Sequence, residues 1–150
     1  MKRYYSLTVF LLLVGIAVWT GSNFLPGPFY EALNKPSWTP PDWLFSPVWG
    51  VLYAMIAFAG WIVWRAQGFG LALGVWFIQL GLNAAWPWIM FGQKHITYAL
   101  VDIALLWAAI VMFIRLAWPV RRSAALLFVP YLLWVTFAAA LNFEVWRLNS

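Results

Sequence analysis

The side chains that do most enzyme chemistry are scarce in this sequence. One histidine, four acidic residues and no cysteine among 150 residues leave no thiolate nucleophile, no disulfide and too few ligands for a multi-ligand metal centre, so no metal is expected. Aromatic rings and amides are the reactive inventory instead. Thirteen residues are tryptophan, and several recur at helical spacing beside polar groups. Trp49 and Tyr53 lie four apart; Gln79, Asn83 and Trp86 lie four and three apart; Tyr98 and Asp102 lie four apart. Trp134, Ala138, Leu141 and Asn142 mark one face of a further segment. Rings and amides on converging faces suit a large, flat, mostly apolar ligand. The competing reading is plain packing, with Asn83 and Asn142 as interhelical hydrogen-bonding groups worth about 0.6 kcal/mol each. Asp102 has two readings as well. It is a proton-relay carboxylate, or a carboxylate paired near a helix end with His95 seven residues back on the same face.

The elements that must position these residues follow from charge. Only 9% of the chain is charged and 65% is hydrophobic, whereas a soluble surface needs about a quarter charged residues. Uncharged stretches run over 4–30, 43–64, 66–93, 103–114 and 123–143. A hydrocarbon core of roughly 30 Å takes about 20 helical residues. The spacing therefore predicts an all-α integral membrane protein, a single domain over 1–150 built as a five-transmembrane-helix bundle. The helices are expected at about 5–25, 43–65, 69–91, 96–118 and 122–146. Runs such as Leu11-Leu12-Leu13-Val14 lack the alternation of a barrel strand. The first apolar run is too long for a usual signal peptide and is expected to be retained.

Counting basic residues places Lys2, Arg3, Arg65, Arg115, Arg121 and Arg122 on one side and Lys35, Lys94 and Arg147 on the other. That bias predicts the N-terminus inside and the C-terminus outside, in a bilayer whose identity the sequence does not name. No basic cluster exceeds two adjacent residues, so nucleic acid is not an expected partner. The 26–42 segment, rich in proline, is an outer loop able to cover a pocket beneath it. Trp19, Trp38, Trp43, Trp61, Trp64, Trp118 and Trp146 fall at helix ends, as interface anchors do. Trp49, Trp86 and Trp134 lie deeper. Gly70, Gly74 and Gly81 on the third helix form small-residue steps that suggest homodimerisation. Pro47, Pro87 and Pro130 should kink or open helices locally. Glu144 and Arg147, three apart, are expected to pair.

Several segments together resemble one family. They are Ala32-Leu33-Asn34-Lys35-Pro36-Ser37-Trp38-Thr39-Pro40-Pro41, Ser46-Pro47-Val48-Trp49-Gly50 and Gln79-Leu80-Gly81-Leu82-Asn83-Ala84-Ala85-Trp86-Pro87. Ala99-Leu100-Val101-Asp102, Val129-Pro130-Tyr131-Leu132-Leu133-Trp134 and Ala140-Leu141-Asn142-Phe143-Glu144-Val145-Trp146-Arg147 continue the series across essentially the whole chain. The chain thus resembles the TspO/MBR family of tryptophan-rich sensory proteins and the translocator protein, or peripheral benzodiazepine receptor. The resemblance implies a five-helix bundle, often dimeric, that binds protoporphyrin IX, heme-like tetrapyrroles, cholesterol and isoquinoline carboxamide or benzodiazepine drugs. No obligatory cofactor is implied. The positions matching the family's pocket are Tyr30, Pro36, Trp38, Trp49, Asn83, Trp86, Trp134 and Ala138. In some bacterial members the tryptophans matching Trp49 and Trp134 support light- and oxygen-dependent porphyrin degradation. Two departures stand out. Tyr98 replaces a tryptophan found in many relatives, and Phe143 replaces the tyrosine of the proposed sterol pattern between Leu141 and Arg147, so specific sterol binding is not expected.

Three functions follow as expectations. The first is a membrane-embedded binding or sensory protein for tetrapyrroles and other flat apolar ligands, lined by the residues above together with Tyr53, Tyr98, Leu141 and Asn142. The second is an enzyme that photo-oxidises porphyrin through Trp49 and Trp134, although no acid–base constellation accompanies them. The third is a transporter of tetrapyrroles or other amphiphiles with Asp102 as coupling carboxylate, which the absence of an evident repeat disfavours.

Overall fold

The computed structural model describes residues 2–150, with side chains from Tyr4 onward, so the Lys2 and Arg3 side chains of the charge count lie outside the described residues. The described residues are all-helical or loop. In chain order they form α1 (Lys2–Asn23), the short α2 (Pro28–Glu31), α3 (Phe45–Gln67), α4 (Leu71–Pro87), α5 (Ile96–Ala117), α6 (Arg122–Leu127) and α7 (Val129–Leu148). A 3-10 turn, Asp42–Leu44, leads into α3, and a π-helical turn, Trp88–Gly92, extends α4. Tyr4–Asn23, Asp42–Gln67, Ile96–Ala117 and Arg122–Leu148 are each long and apolar enough to cross a membrane. The expected third helix differs: its regular part has 17 residues, and only the π turn carries it to residue 92.

Local chemistry explains the ends. At the end of α1, Thr20, Ser22 and Asn23 fold back to donate to the carbonyls of Ala17, Val18 and Trp19, so these polar side chains find partners on their own helix. Gly68, at φ 70°, closes α3 with its N–H on the Trp64 carbonyl at 2.7 Å. Pro47 sits in the first turn of α3, where its missing N–H costs nothing, so the helix does not break there. Pro87 cannot donate. The turn after it widens, with Gln93 N on Trp88 O at 2.7 Å and His95 N on Ile89 O at 3.1 Å. Pro130 similarly splits the expected fifth helix into α6 and α7, which meet at Phe128. The outer loop is not wholly irregular, because α2 lies within it.

The long helices close into a ring. α1 packs on α3 and α4, α4 on α5, α5 on α7, and α6 on α3. A core of Phe10, Val14, Ile56, Val63, Leu73, Trp76, Ile110, Phe113 and Phe128 fills the end of the ring that carries the N-terminus. Trp76 is fully buried there, its indole N–H on the Ile56 carbonyl at 2.9 Å. Gly60 makes the room: a Cβ on it would lie 2.5 Å from the Trp76 ring. At the opposite end the 24–44 loop covers a second cluster of Tyr30, Met90, Ala99, Leu141 and Val145. Asn149 ties that loop down, accepting from Asn34 N at 3.0 Å and donating to Asn34 O at 2.8 Å.

Candidate ligand site between α3 and α7

The first two turns of α3 and of α7 are bridged by rings. Phe45 meets Trp134 at a centroid distance of 5.7 Å, and one turn deeper Trp49 meets Tyr131 at 6.3 Å. Trp49 also lies 5.3 Å from Tyr53, and Trp134 lies 5.6 Å from Phe137. Trp38 closes the top on Phe137 at 5.6 Å, bringing the loop onto the site. Edge and tilted contacts of this kind contribute about 0.5–1.5 kcal/mol each beyond burial. Two helices held apart by rings are easier to part than two helices in backbone contact, because rotamer changes alone reshape the gap.

The floor is polar. Tyr53 Oη donates to Asn83 Oδ1 at 3.2 Å, Asn83 Nδ2 donates to Tyr131 Oη at 2.7 Å, and Tyr131 Oη donates to Gln79 Oε1 at 2.9 Å. This chain joins α3, α4 and α7 through half-buried Tyr53 and buried Asn83, Tyr131 and Gln79. Three buried polar atoms near it have no hydrogen-bond partner among the described residues: Gln79 Nε2, Asp102 Oδ2 and Trp134 Nε1. Such atoms are costly to leave unmade, at about 1–3 kcal/mol each. A second polar link lies nearer the loop, where Trp86 Nε1 donates to Asn142 Oδ1 at 3.0 Å. Trp86 packs against both clusters and so joins the aromatic gap to the cap, where Tyr30 meets Phe91 at 5.5 Å. Burial, and then the charge of Asp42, hold the Tyr30 phenol above its ordinary pKa of 10.0.

The sequence profile that matches this chain is that of the TspO/MBR family, over residues 7–147. The chain belongs to the TspO/MBR family. It is 43% identical over 145 residues to the tryptophan-rich protein TspO of Chlorobaculum tepidum, covering 92% of this chain and 90% of that one. It is 38% identical over 148 residues to the human translocator protein, covering 93% and 88%. The tryptophan-rich sensory protein of Cereibacter sphaeroides is 37% identical over 140 residues, covering 93% and 89%.

Within this TspO/MBR chain the expected site residues separate into groups. Trp49, Tyr53, Asn83, Trp134 and Ala138 all pack against the larger core or join its polar floor, with Trp38 over Phe137 above them. Tyr30, Leu141 and Asn142 belong to the cap. Pro36 shapes the loop, its carbonyl accepting from Thr39 N and Oγ1. Tyr98 does not join them. It is 63% exposed and rests on His95 at 4.9 Å, because it stands in the first turn of α5, off the buried stripe of Ala99, Asp102, Ile103 and Leu106. His95 is exposed as well, so it does not meet buried Asp102. Gly70 precedes α4 rather than lying on it, which breaks the Gly70–Gly74 step; Gly74 and Gly81 remain on an exposed face with open space above them. Sequence reasoning passed over Phe45, Phe91, Tyr131 and Phe137. Helical spacing carries a signal for three of them: Phe45 lies four before Trp49, and Tyr131 and Phe137 lie three either side of Trp134. The Glu144–Arg147 pair forms at 2.7 Å.

Proposed function

We propose that this chain is a membrane receptor for flat, largely apolar ligands of the tetrapyrrole class, with protoporphyrin IX or heme as the type ligand and isoquinoline carboxamides as drug-like analogues. The ligand would enter between α3 and α7, lie against Trp49 and Trp134, and reach the amide floor of Asn83 and Gln79. The observation that carries this reading is the set of rings, rather than backbone, that separates the two helices beneath the loop. In this reading residues 71–92 make a fifth crossing, the arginine-bearing end with the N-terminus lies inside, and α4 pairs with a second copy through its Gly74–Gly81 face. Sensory and translocator names among the relatives fit a protein that binds a small molecule in a bilayer. Quenching of tryptophan fluorescence by protoporphyrin IX tests it. Saturable quenching should weaken at least about tenfold in a Trp49→Phe, Trp134→Phe double variant, the loss of about 1.4 kcal/mol of ring contact. Unchanged affinity in that variant would sink the assignment.

One observation favours a second reading. Trp49 and Trp134 stand on opposite walls of the same gap, so a photoexcited macrocycle between them would touch two oxidisable indoles, with dioxygen as the oxidant. Illumination of the bound porphyrin with and without oxygen distinguishes the two. A defined product that disappears in the double variant makes the protein an enzyme; bleaching equal in both leaves it a receptor.

A further inference from the structure

Charge divides this molecule by end. All four acidic residues, Glu31, Asp42, Asp102 and Glu144, lie in the loop-side half, whereas Arg65, Arg115, Arg121 and Arg122 stand at the end that carries the N-terminus. The Glu144–Arg147 bridge belongs to the loop side, so among the described residues no carboxylate neutralises the arginines at the other end. Two of them, Arg65 at the end of α3 and Arg121 just before α6, converge on one cleft of about 290 Å³ with Trp61, Ile62 and Ala66. The cleft is built, not merely exposed. The Arg65 guanidinium lies over the Trp61 ring at 5.1 Å, and that ring is held by its own N–H on Ser6 Oγ at 2.9 Å and by stacking on Tyr4 at 6.3 Å. Next to the cleft in sequence, Arg122 lies over Trp118 at the same distance, 5.1 Å.

A guanidinium held over an indole face spends no N–H on that contact, and its planar fork of donors matches the oxygens of a phosphate. Among the described residues Arg121 makes one hydrogen bond, a 3.5 Å contact on its neighbour's carbonyl, and its other donors have no partner there. The walls below the two cations are apolar, and indoles such as Trp61 and Trp118 at a helix end mark the headgroup level of a bilayer. A dissolved anion would gain nothing from Ile62, Ala66 and the indole face. An amphiphile would gain from both parts.

We infer that the cleft between the end of α3 and the α5–α6 turn is a binding site for an anionic phospholipid, whose phosphate is gripped by Arg65 and Arg121 while its glycerol and upper chains lie on Trp61, Ile62 and Ala66. The site is at the opposite end of the bundle from the α3–α7 gap and does not depend on what that gap binds. It would hold the free ends of α1, α3 and α6 together around one lipid.

The test is native mass spectrometry of the full chain titrated with phosphatidylglycerol and, separately, phosphatidylcholine. The wild type should retain phosphatidylglycerol in preference. Each basic residue near a headgroup is worth about fivefold in affinity, so Arg65→Gln with Arg121→Gln should weaken retention roughly twentyfold to thirtyfold. Arg115→Gln, which removes one charge outside the cleft, should alter it by less than about twofold, against about fivefold for Arg65→Gln alone. Arg65→Lys keeps the charge but loses the fork and should fall between. Equal losses in the Arg115 and cleft variants would reduce the site to general surface charge and overturn the proposal. Thermal stabilisation by inorganic phosphate as large as that by the lipid would overturn the lipid assignment. Helix content measured on each variant keeps misfolding separate, and the single Arg65→Lys change decides the matter if the double variant does not fold.

Discussion

Gly60→Ala is the sharpest perturbation of the scaffold. The added Cβ would stand 2.5 Å from Trp76 Cε2, 2.6 Å from its Nε1 and 2.9 Å from Phe10 Cδ1. Carbon atoms settle at about 3.5–4.0 Å, so the indole must retreat by about 1 Å. It has nowhere easy to go, being fully buried and edge-on to Phe10 at 5.0 Å and Phe77 at 5.2 Å. Overpacking costs about 1–3 kcal/mol, and a strained indole bond to Ile56 O about 0.5–1.5 kcal/mol more. Alanine's helical preference over glycine returns about 0.5–1 kcal/mol. The net expectation is a destabilisation of about 0.5–4 kcal/mol, centred on about 2 kcal/mol, which is a fall of roughly thirtyfold in the folded-to-unfolded ratio. Denaturation of the purified protein in mixed detergent micelles measures it. Porphyrin affinity of the folded fraction should not change, because Gly60 is about 16 Å along α3 from Trp49. Adding Trp76→Phe should restore part of the loss if the clash is the cause. A Gly60→Ala protein as stable as the wild type would refute the packing argument.

Tyr131→Phe removes the hydroxyl joining Asn83 to Gln79 and leaves two buried amide groups unpaired. A loss of about 1–3 kcal/mol in stability is expected together with weaker porphyrin quenching, whereas Leu133→Ala, on the exposed side of α7, should change neither by much. Asn149→Ala cuts both bonds to Asn34 and should speed ligand release severalfold in stopped-flow while leaving the helices intact. Alkali should destabilise the cap. The folded-state pKa of Tyr30 is raised, so the unfolded chain loses its phenolic proton first, and stability falls as pH rises above about 10. Tyr30→Phe should flatten that fall in a pH series of melting temperatures, and an identical slope in both proteins would contradict it.

Much of this architecture is legible in the sequence because hydrocarbon is an unforgiving solvent. A charged side chain is costly in a bilayer core, so gaps between charges mark helices, and the bounds of the expected helices lie within a few residues of the observed ones at most ends. The differences arise at proline. Pro87 turns the end of the third expected helix into a π turn and Pro130 divides the last into α6 and α7, consequences of a missing N–H that depend on which neighbouring carbonyls can be re-satisfied. Of the tryptophans expected at helix ends, Trp19, Trp43 and Trp118 are exposed there. Trp76 was not. In sequence it is one more tryptophan in an apolar run, and only Gly60, sixteen residues away on another helix, makes it a buried core ring.

The sequence by itself determined that this chain is helical, lives in a membrane, belongs to the TspO/MBR family and carries its rings and amides at helical spacing. Those properties are local, set by the 3.6-residue period and the transfer of each side chain from water. The tertiary structure alone decided which faces meet. It turned Tyr98 away from the gap between α3 and α7, set Phe45, Tyr131 and Phe137 along that gap, and joined Tyr53, Asn83, Tyr131 and Gln79 into one hydrogen-bonded chain. It also put Arg65 and Arg121, more than fifty residues apart in sequence, at the mouth of one cleft. The rotation of each helix about its axis, and its choice of neighbours around the ring, depend on packing between segments distant in the chain, and no spacing within a single helix encodes that.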